Sequence, residues 1–140
     1  MDLFNLQRFV DAQAPVWDEV QAELHRGKKR THWRWFVFPQ LAALGRSTTA
    51  IFYGISGADE ARAYLEHPLL GPRLHDCCKV LLRVDTGSAR EVLGDIDAMK
   101  LRSCLTLFES VAPTTPIFKE CLDRYFDGER DPLTTRLLAS

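Results

Sequence analysis

Apolar residues recur along this chain at intervals of three and four positions, the spacing of amphipathic α-helices. The longest such stripe, which we expect to be buried, consists of Leu70, Leu74, Cys77, Leu81 and Val84. A second stripe predicts a helix over about 97–111 and consists of Leu101, Cys104, Leu105, Phe108 and Val111. No run alternates between apolar and polar residues well enough to build a β-sheet. The pattern therefore predicts an all-α fold.

Residues that start and end helices divide the chain into seven to nine short helices. Asp2 can cap the first helix, and Gly27 is the expected end of the second. Thr115-Pro116 and Asp131-Pro132 each place a capping residue before the proline preferred at the first helical position. Further short helices are predicted over 39–44, 48–53, 58–66, from 70 onwards and from Ser88 to Leu93. We expect a compact multihelical single domain over residues 1–140.

The composition is that of an ordinary globular protein, with 140 residues, of which 46% are hydrophobic and 26% charged. The formal net charge of −1 argues against a nucleic-acid partner, because proteins that coat nucleic acids need a strong positive excess. No apolar run approaches the roughly 18 residues of a membrane helix, and the N-terminus lacks the features of a signal peptide. We expect a soluble cytoplasmic protein without a membrane partner. The sequence does not indicate its oligomeric state.

The four cysteines, Cys77, Cys78, Cys104 and Cys121, predict neither a disulfide framework nor a zinc site. None of them belongs to a C-x-x-C pair, and reduced thiols are typical of the cytoplasm. His75 and Cys78 have helical spacing, but two candidate ligands do not make a metal site. We therefore expect no metal and no cofactor.

The most unusual stretch is residues 28–38, here called the aromatic–basic segment. It holds four cations (Lys28, Lys29, Arg30, Arg34), one histidine (His32) and four aromatic residues (Trp33, Trp35, Phe36, Phe38). Pro39 disfavours helical geometry at Phe38, so residues 31–38 are predicted to be irregular or to form one short turn. A strand is the weaker interpretation, because no partner strand is evident.

The aromatic rings of this segment have two interpretations. They could form a stacking platform for a base or another flat ligand, or they could belong to the core. Both hold at once if two rings pack inward and two line a cleft.

The cations of the segment also have two interpretations. Lys28, Lys29 and Arg30 follow a helix end, where positive charge offsets the partial negative charge of the helix C-terminus. The alternative is a clamp for phosphate or carboxylate, strengthened by Arg34 and Arg46.

His32 is the candidate catalytic residue. Its basic neighbours would lower its pKa and keep it neutral, which suits a general base. Asp97 or Glu109 could supply the carboxylate of an acid–base pair, although the sequence does not place either beside it. A structural hydrogen bond from the imidazole to the backbone is the alternative.

Several segments in this order resemble the bacterial domain of unknown function 1810 family. They are KRTHWRWFVFPQL (29–41), LGRS (44–47), AYLEHPLLGPRL (63–74), LRS (101–103), TLF (106–108) and DP (131–132). The resemblance implies a small all-helical cytoplasmic protein, with no established activity, cofactor or catalytic residue. Arg34 stands where an apolar residue is expected, and Cys104 stands where a small polar residue is common. The departure at Arg34 leaves open whether that position lines a pocket or faces solvent.

Three functions remain open. The first is a binding module for a small anionic or nucleotide-like ligand, held by Lys29, Arg30, Trp33, Arg34, Arg46 and Lys100. The second is a hydrolase acting on a nucleotide-like substrate, with His32 as general base. The third is a protein-interaction scaffold whose aromatic segment is only core. A concave pocket ringed by the cations favours the first two, and a buried carboxylate facing His32 favours the second.

Overall fold

Helices make up most of the protein in the computed structural model, which describes residues 2–84 and 88–139. They are α1 (Gln7–Gln13), α2 (Trp17–Arg26), α3 (Arg34–Val37), α4 (Thr48–Phe52), α5 (Ala58–Glu66), α6 (Leu70–Arg83), α7 (Ala89–Leu93), α8 (Asp95–Val111), α9 (Pro116–Phe126) and α10 (Pro132–Leu138). Short 3-10 helices cover Ala14–Val16 and Ala42–Leu44. Within residues 2–84 and 88–139, β-type pairing is confined to an isolated bridge between Leu41 and Ile55. The all-α prediction is confirmed.

Capping contacts explain several of the helix boundaries. The Ser88 hydroxyl accepts a hydrogen bond from the Glu91 N–H at 3.2 Å, and Asp131 accepts one from the Thr134 N–H at 3.2 Å. Gly27 ends α2 with φ 73°, a left-handed conformation that glycine adopts without steric cost. These helix starts and this helix end lie where the sequence predicts them.

The helix predicted over 39–44 is shortened to the 3-10 turn Ala42–Leu44. The reason is a pairing with a distant stretch of backbone. The Ile55 N–H donates to the Gln40 carbonyl at 2.9 Å, and the Ala42 N–H donates to the Ile55 carbonyl at 2.8 Å. Leu41, which lies between these two hydrogen-bonded residues, is thereby held extended, and the helix cannot include it.

Helix α8 lies at the centre of the fold and packs against α5, α7, α9 and α10. Its residues Leu101, Cys104, Leu105, Leu107 and Phe108 are all 0% exposed. The predicted stripe on α6 is buried too, as are Trp33, Val37 and Phe38 from the aromatic–basic segment. In the described part of the chain, no helix is both long and apolar enough to cross a membrane.

We expect Leu74→Ala on α6 to lower the free energy of unfolding by about 2–5 kcal/mol, because it removes a fully buried side chain and leaves a cavity. Urea denaturation followed by circular dichroism measures the loss. The matched control is Leu3→Ala, since Leu3 is 78% exposed and should change stability by less than about 0.5 kcal/mol. Equal effects at the two positions would contradict the placement of the α6 stripe in the core.

Candidate anion-binding site

Glu23 on α2 fixes the start of the aromatic–basic segment. Its Oε1 accepts hydrogen bonds from the Arg30 N–H (2.6 Å), the Thr31 N–H (3.0 Å) and the Trp33 indole N–H (3.0 Å). Its Oε2 accepts one from the Thr31 hydroxyl at 2.6 Å. Burial raises the pKa of Glu23, but these hydrogen bonds outweigh burial and lower the pKa to about 2. The Glu23 carboxylate therefore holds residues 30–33, the irregular part of the segment, in place. The side chain of Arg30, which the sequence predicts as a ligand contact, is exposed.

The four aromatic rings of the segment divide between core and surface. Trp33 is 1% exposed and Phe38 is 0% exposed, whereas Trp35 and Phe36 are partly exposed. Trp33, which the sequence predicts as a ligand contact, instead lies in the core, where Glu23 satisfies its indole N–H. Among these rings, Trp35 is the tryptophan that reaches the surface.

Two cations of the segment share one carboxylate on α8. Lys29 Nζ lies 2.8 Å from Asp97 Oδ2, and Arg34 Nε lies 3.3 Å from Asp97 Oδ1. The side chains of Lys29 and Arg34 are only 6% and 7% exposed. Buried charges are normally paired. Here the two positive charges of Lys29 and Arg34 share the single negative charge of Asp97, so positive charge is in excess at this point.

His32 has no carboxylate partner within residues 2–84 and 88–139. It is exposed, and its ring centroid lies 6.2 Å from that of Trp35. Asp97, one proposed partner, is engaged by the two buried cations, and Glu109, the other, accepts a hydrogen bond from Arg130 at 3.2 Å. The structure does not bring together the acid–base pair that the hydrolase hypothesis needs.

Two further cations adjoin this pair. Lys100 lies one helical turn after Asp97, on the same face of α8. Burial lowers the pKa of Lys100, and the positive charges of Arg34 and then Arg46 lower it further, while the Asp131 carboxylate acts in the opposite direction. Lys100 thus lies close enough to Arg34 and to Arg46 to be influenced by both charges. We call them the basic cluster: Arg34, Arg46 and Lys100.

A cavity of about 450 Å³ opens beside Arg46. It is lined by Ala43, Leu44, Arg46, Leu133, Arg136 and Leu137. A neighbouring cavity of about 350 Å³ shares Ala43 and Leu137 with it. Together they form a depression between residues 41–46 and α10, here called the α10 groove. The sequence predicts ligand binding by Lys29, Arg30, Trp33, Arg34, Arg46 and Lys100, and of these six residues Arg46 alone lines the groove.

Gln40 was not singled out from the sequence, yet its side chain is unusual. It is 3% exposed, and neither Oε1 nor Nε2 has a hydrogen-bond partner in the described part of the chain. Its backbone is fixed by the pairing with Ile55, and Gly54 packs so closely that a Cβ there would lie 2.3 Å from the Ala42 Cα. Buried amides nearly always have partners, so this group is suited to bind an ordered water or a ligand. Its position between Pro39 and Leu41, in an apolar run, was the signal in the sequence.

The cysteines are buried as free thiols. Burial raises the pKa of Cys77 to about 12, which disfavours the thiolate that a nucleophile or a metal ligand requires. Among the residues that the structure describes, no three His, Cys, Asp or Glu side chains are grouped as a metal site would require.

Comparison with known proteins gives the family. The family model described as "Protein of unknown function (DUF1810)" matches residues 3–138. The chain belongs to the DUF1810 family. This DUF1810 protein is similar to the conserved hypothetical protein Rv1873 from Mycobacterium tuberculosis, whose crystal structure at 1.38 Å superposes with a TM-score of 0.96. The two sequences are 49% identical, and the match covers 98% of each chain.

No curated protein matches this DUF1810 chain significantly. The resemblance drawn from the sequence is confirmed. The family is described as one of unknown function, and the similar mycobacterial protein is described as hypothetical.

Proposed function

We propose that this DUF1810 protein is a binding module for a small anionic or nucleotide-like ligand, which it holds at the basic cluster. The observation that carries the proposal is the shared carboxylate. The side chains of Lys29 and Arg34 are almost fully buried with Asp97 between them. Lys100, one helical turn after Asp97, is influenced by the charges of Arg34 and Arg46. An anion would neutralise the excess charge that the protein leaves there.

The chemistry of the cations suits a phosphate or a carboxylate. A guanidinium group presents a planar set of donors that matches either anion in two-point contacts, and a lysine adds a point charge. Partial burial strengthens these contacts, because the effective dielectric constant is lower than in water. The Arg34 guanidinium also lies 5.5 Å from the centroid of the Trp35 ring, so a flat surface adjoins the cations.

The other two functions receive less support. The hydrolase hypothesis needs a carboxylate facing His32, and both proposed partners are engaged elsewhere. The scaffold hypothesis accounts for Trp33 and Phe38 as core residues, but it gives no reason for gathering Arg34, Arg46 and Lys100. We also propose a cytoplasmic location, which the four buried free thiols support.

Inorganic phosphate should raise the thermal midpoint of the wild-type protein at constant ionic strength. At about ten times Kd a bound anion stabilises by roughly 1.4 kcal/mol, which is a shift of a few degrees for a domain of this size. The variant carrying Arg46→Gln and Lys100→Gln should lose this shift, because it removes two cations of the cluster. Differential scanning fluorimetry with phosphate replacing chloride measures both proteins.

The matched control for this experiment is Lys119→Gln. Lys119 is an exposed lysine on α9 that pairs with Asp123, so its loss removes one positive charge without touching the cluster. This control should keep the full shift. Phosphate also stabilises proteins by exclusion from their surface, but that effect acts equally on all three proteins. Equal shifts in the wild type and the double variant would refute the proposal.

A further inference from the structure

We propose that the ligand is an amphipathic organic anion whose apolar body occupies the α10 groove while its phosphate or carboxylate head meets Arg46. This inference rests on the proposed function and adds the class of ligand. The groove lies between α10 and residues 41–46. Of these residues, the sequence predicts only Arg46 to bind a ligand.

The lining of the groove combines an apolar surface with charge. Its walls include Leu44, Leu133 and Leu137, and its cationic groups are the guanidinium groups of Arg46 and Arg136. A volume of about 450 Å³ is within the range of small-molecule sites. Leu133 and Leu137 are 52% and 40% exposed although they lie on one face of a helix. Apolar walls with cations at the edge complement a ligand that is apolar at one end and anionic at the other.

Helix α10 is anchored, so its leucine face is a fixed wall. Asp131, at the start of α10, accepts a hydrogen bond from the Ser103 hydroxyl of α8 at 3.1 Å. The Asp131 N–H donates to the Thr106 hydroxyl at 2.9 Å, and Thr134 is fully buried. With its polar face fastened to α8, the helix keeps Leu133 and Leu137 beside the groove. A preformed wall lowers the entropic cost of binding.

Arg46 connects the groove with the basic cluster. Its side chain lines the cavity, and its positive charge is felt by Lys100 on α8. An anionic head at Arg46 therefore lies within the field of Lys100, while the atoms attached to it extend along the cavity towards Leu133. The body is expected to be aliphatic or a small ring, because the walls beside Arg46 are aliphatic side chains.

Titration calorimetry with four probes tests this inference. The probes are inorganic phosphate, hexyl phosphate, phenyl phosphate and a nucleoside monophosphate. Hexyl phosphate should bind the wild type at least tenfold more tightly than inorganic phosphate, because each buried methylene group gives roughly a fourfold gain. Phenyl phosphate should show a gain in the same direction. The nucleoside monophosphate separates an apolar preference from recognition of a base.

The groove variant carries Leu133→Ser and Leu137→Ser. It should bind inorganic phosphate like the wild type and lose the tenfold preference for hexyl phosphate. Both leucines are exposed, so circular dichroism should confirm an unchanged fold. Leu3→Ser is the control, because Leu3 is an exposed leucine at the other end of the chain and should keep the preference.

The outcomes separate the two proposals. Binding of all phosphates with equal affinity would overturn the groove and leave anion binding intact. A preference for hexyl phosphate that survives in the groove variant would also overturn it, because the apolar body would then lie elsewhere. So would tightest binding of the nucleoside monophosphate with no dependence on the two leucines. Failure of every probe to bind would refute the proposed function itself.

Discussion

Replacement of Trp33 by alanine should lower the free energy of unfolding by about 3–5 kcal/mol. The ring is 1% exposed and lies 6.0 Å, centroid to centroid, from Phe38. Its removal leaves a large cavity in the core and deprives the Glu23 carboxylate of a hydrogen bond. Urea denaturation followed by both far-UV circular dichroism and tryptophan fluorescence measures the loss and checks that unfolding is two-state.

Two further substitutions divide this effect into its parts. Trp33→Phe keeps most of the buried ring but removes the indole donor, so it should cost about 1–3 kcal/mol. Trp35→Ala removes a ring of equal size that is partly exposed, and it should cost less than Trp33→Ala. A larger loss at Trp35 than at Trp33 would contradict the assignment of Trp33 to the core.

Replacement of Glu23 by alanine should cost a similar amount, about 3–5 kcal/mol, because several buried N–H donors each lose their acceptor at about 1–3 kcal/mol. The side chain is 3% exposed and accepts four hydrogen bonds from the segment that follows α2. Without the carboxylate, the buried indole N–H of Trp33 and the backbone N–H groups of Arg30 and Thr31 lose their acceptor. Because this segment also carries Lys29 and Arg34, the variant should weaken phosphate binding as well as stability.

The contribution of Glu23 to stability should depend on pH. Its pKa falls from 4.5 to about 2 in the folded protein, so the carboxylate stabilises the fold above the unfolded value of 4.5. That stabilisation is lost as the pH falls towards about 2. The gap in unfolding free energy between wild type and Glu23→Gln should therefore narrow on going from about pH 6 to about pH 3. Parallel stability curves over this range would show that Glu23 is not the acceptor that the hydrogen bonds indicate.

The arrangement around Asp97 favours the binding proposal over the hydrolase hypothesis. A catalytic histidine needs a partner that orients it, and His32 is exposed without one in the described residues. The carboxylate that could have served it is engaged by Lys29 and Arg34. What the structure places there instead is positive charge beside the partly exposed ring of Trp35.

Most of the helical architecture could be predicted from the sequence, because helix starts, ends and faces depend on nearby residues. The stripe on α6 has a regular spacing, and its burial follows from the need to hide one apolar face. Ser88 and Asp131 cap helices through bonds that reach only three residues along the chain. The helix predicted over 39–44 was wrong for the opposite reason, since Ile55, which holds Gln40 and Ala42, is distant in sequence.

The candidate site was decided by tertiary structure. Sequence alone marked the aromatic–basic segment as unusual, but an irregular stretch has no period that tells which rings face inward. The Glu23 carboxylate accepts a hydrogen bond from the indole N–H of Trp33 and holds that ring in the core, while Trp35 remains partly exposed. Asp97 lies 63 residues beyond Arg34, so their contact requires the packing of the segment on α8. The attraction between two charges depends on their distance in space and not on their separation in sequence. Only the fold therefore determines which cations share a carboxylate, as Lys29 and Arg34 share Asp97.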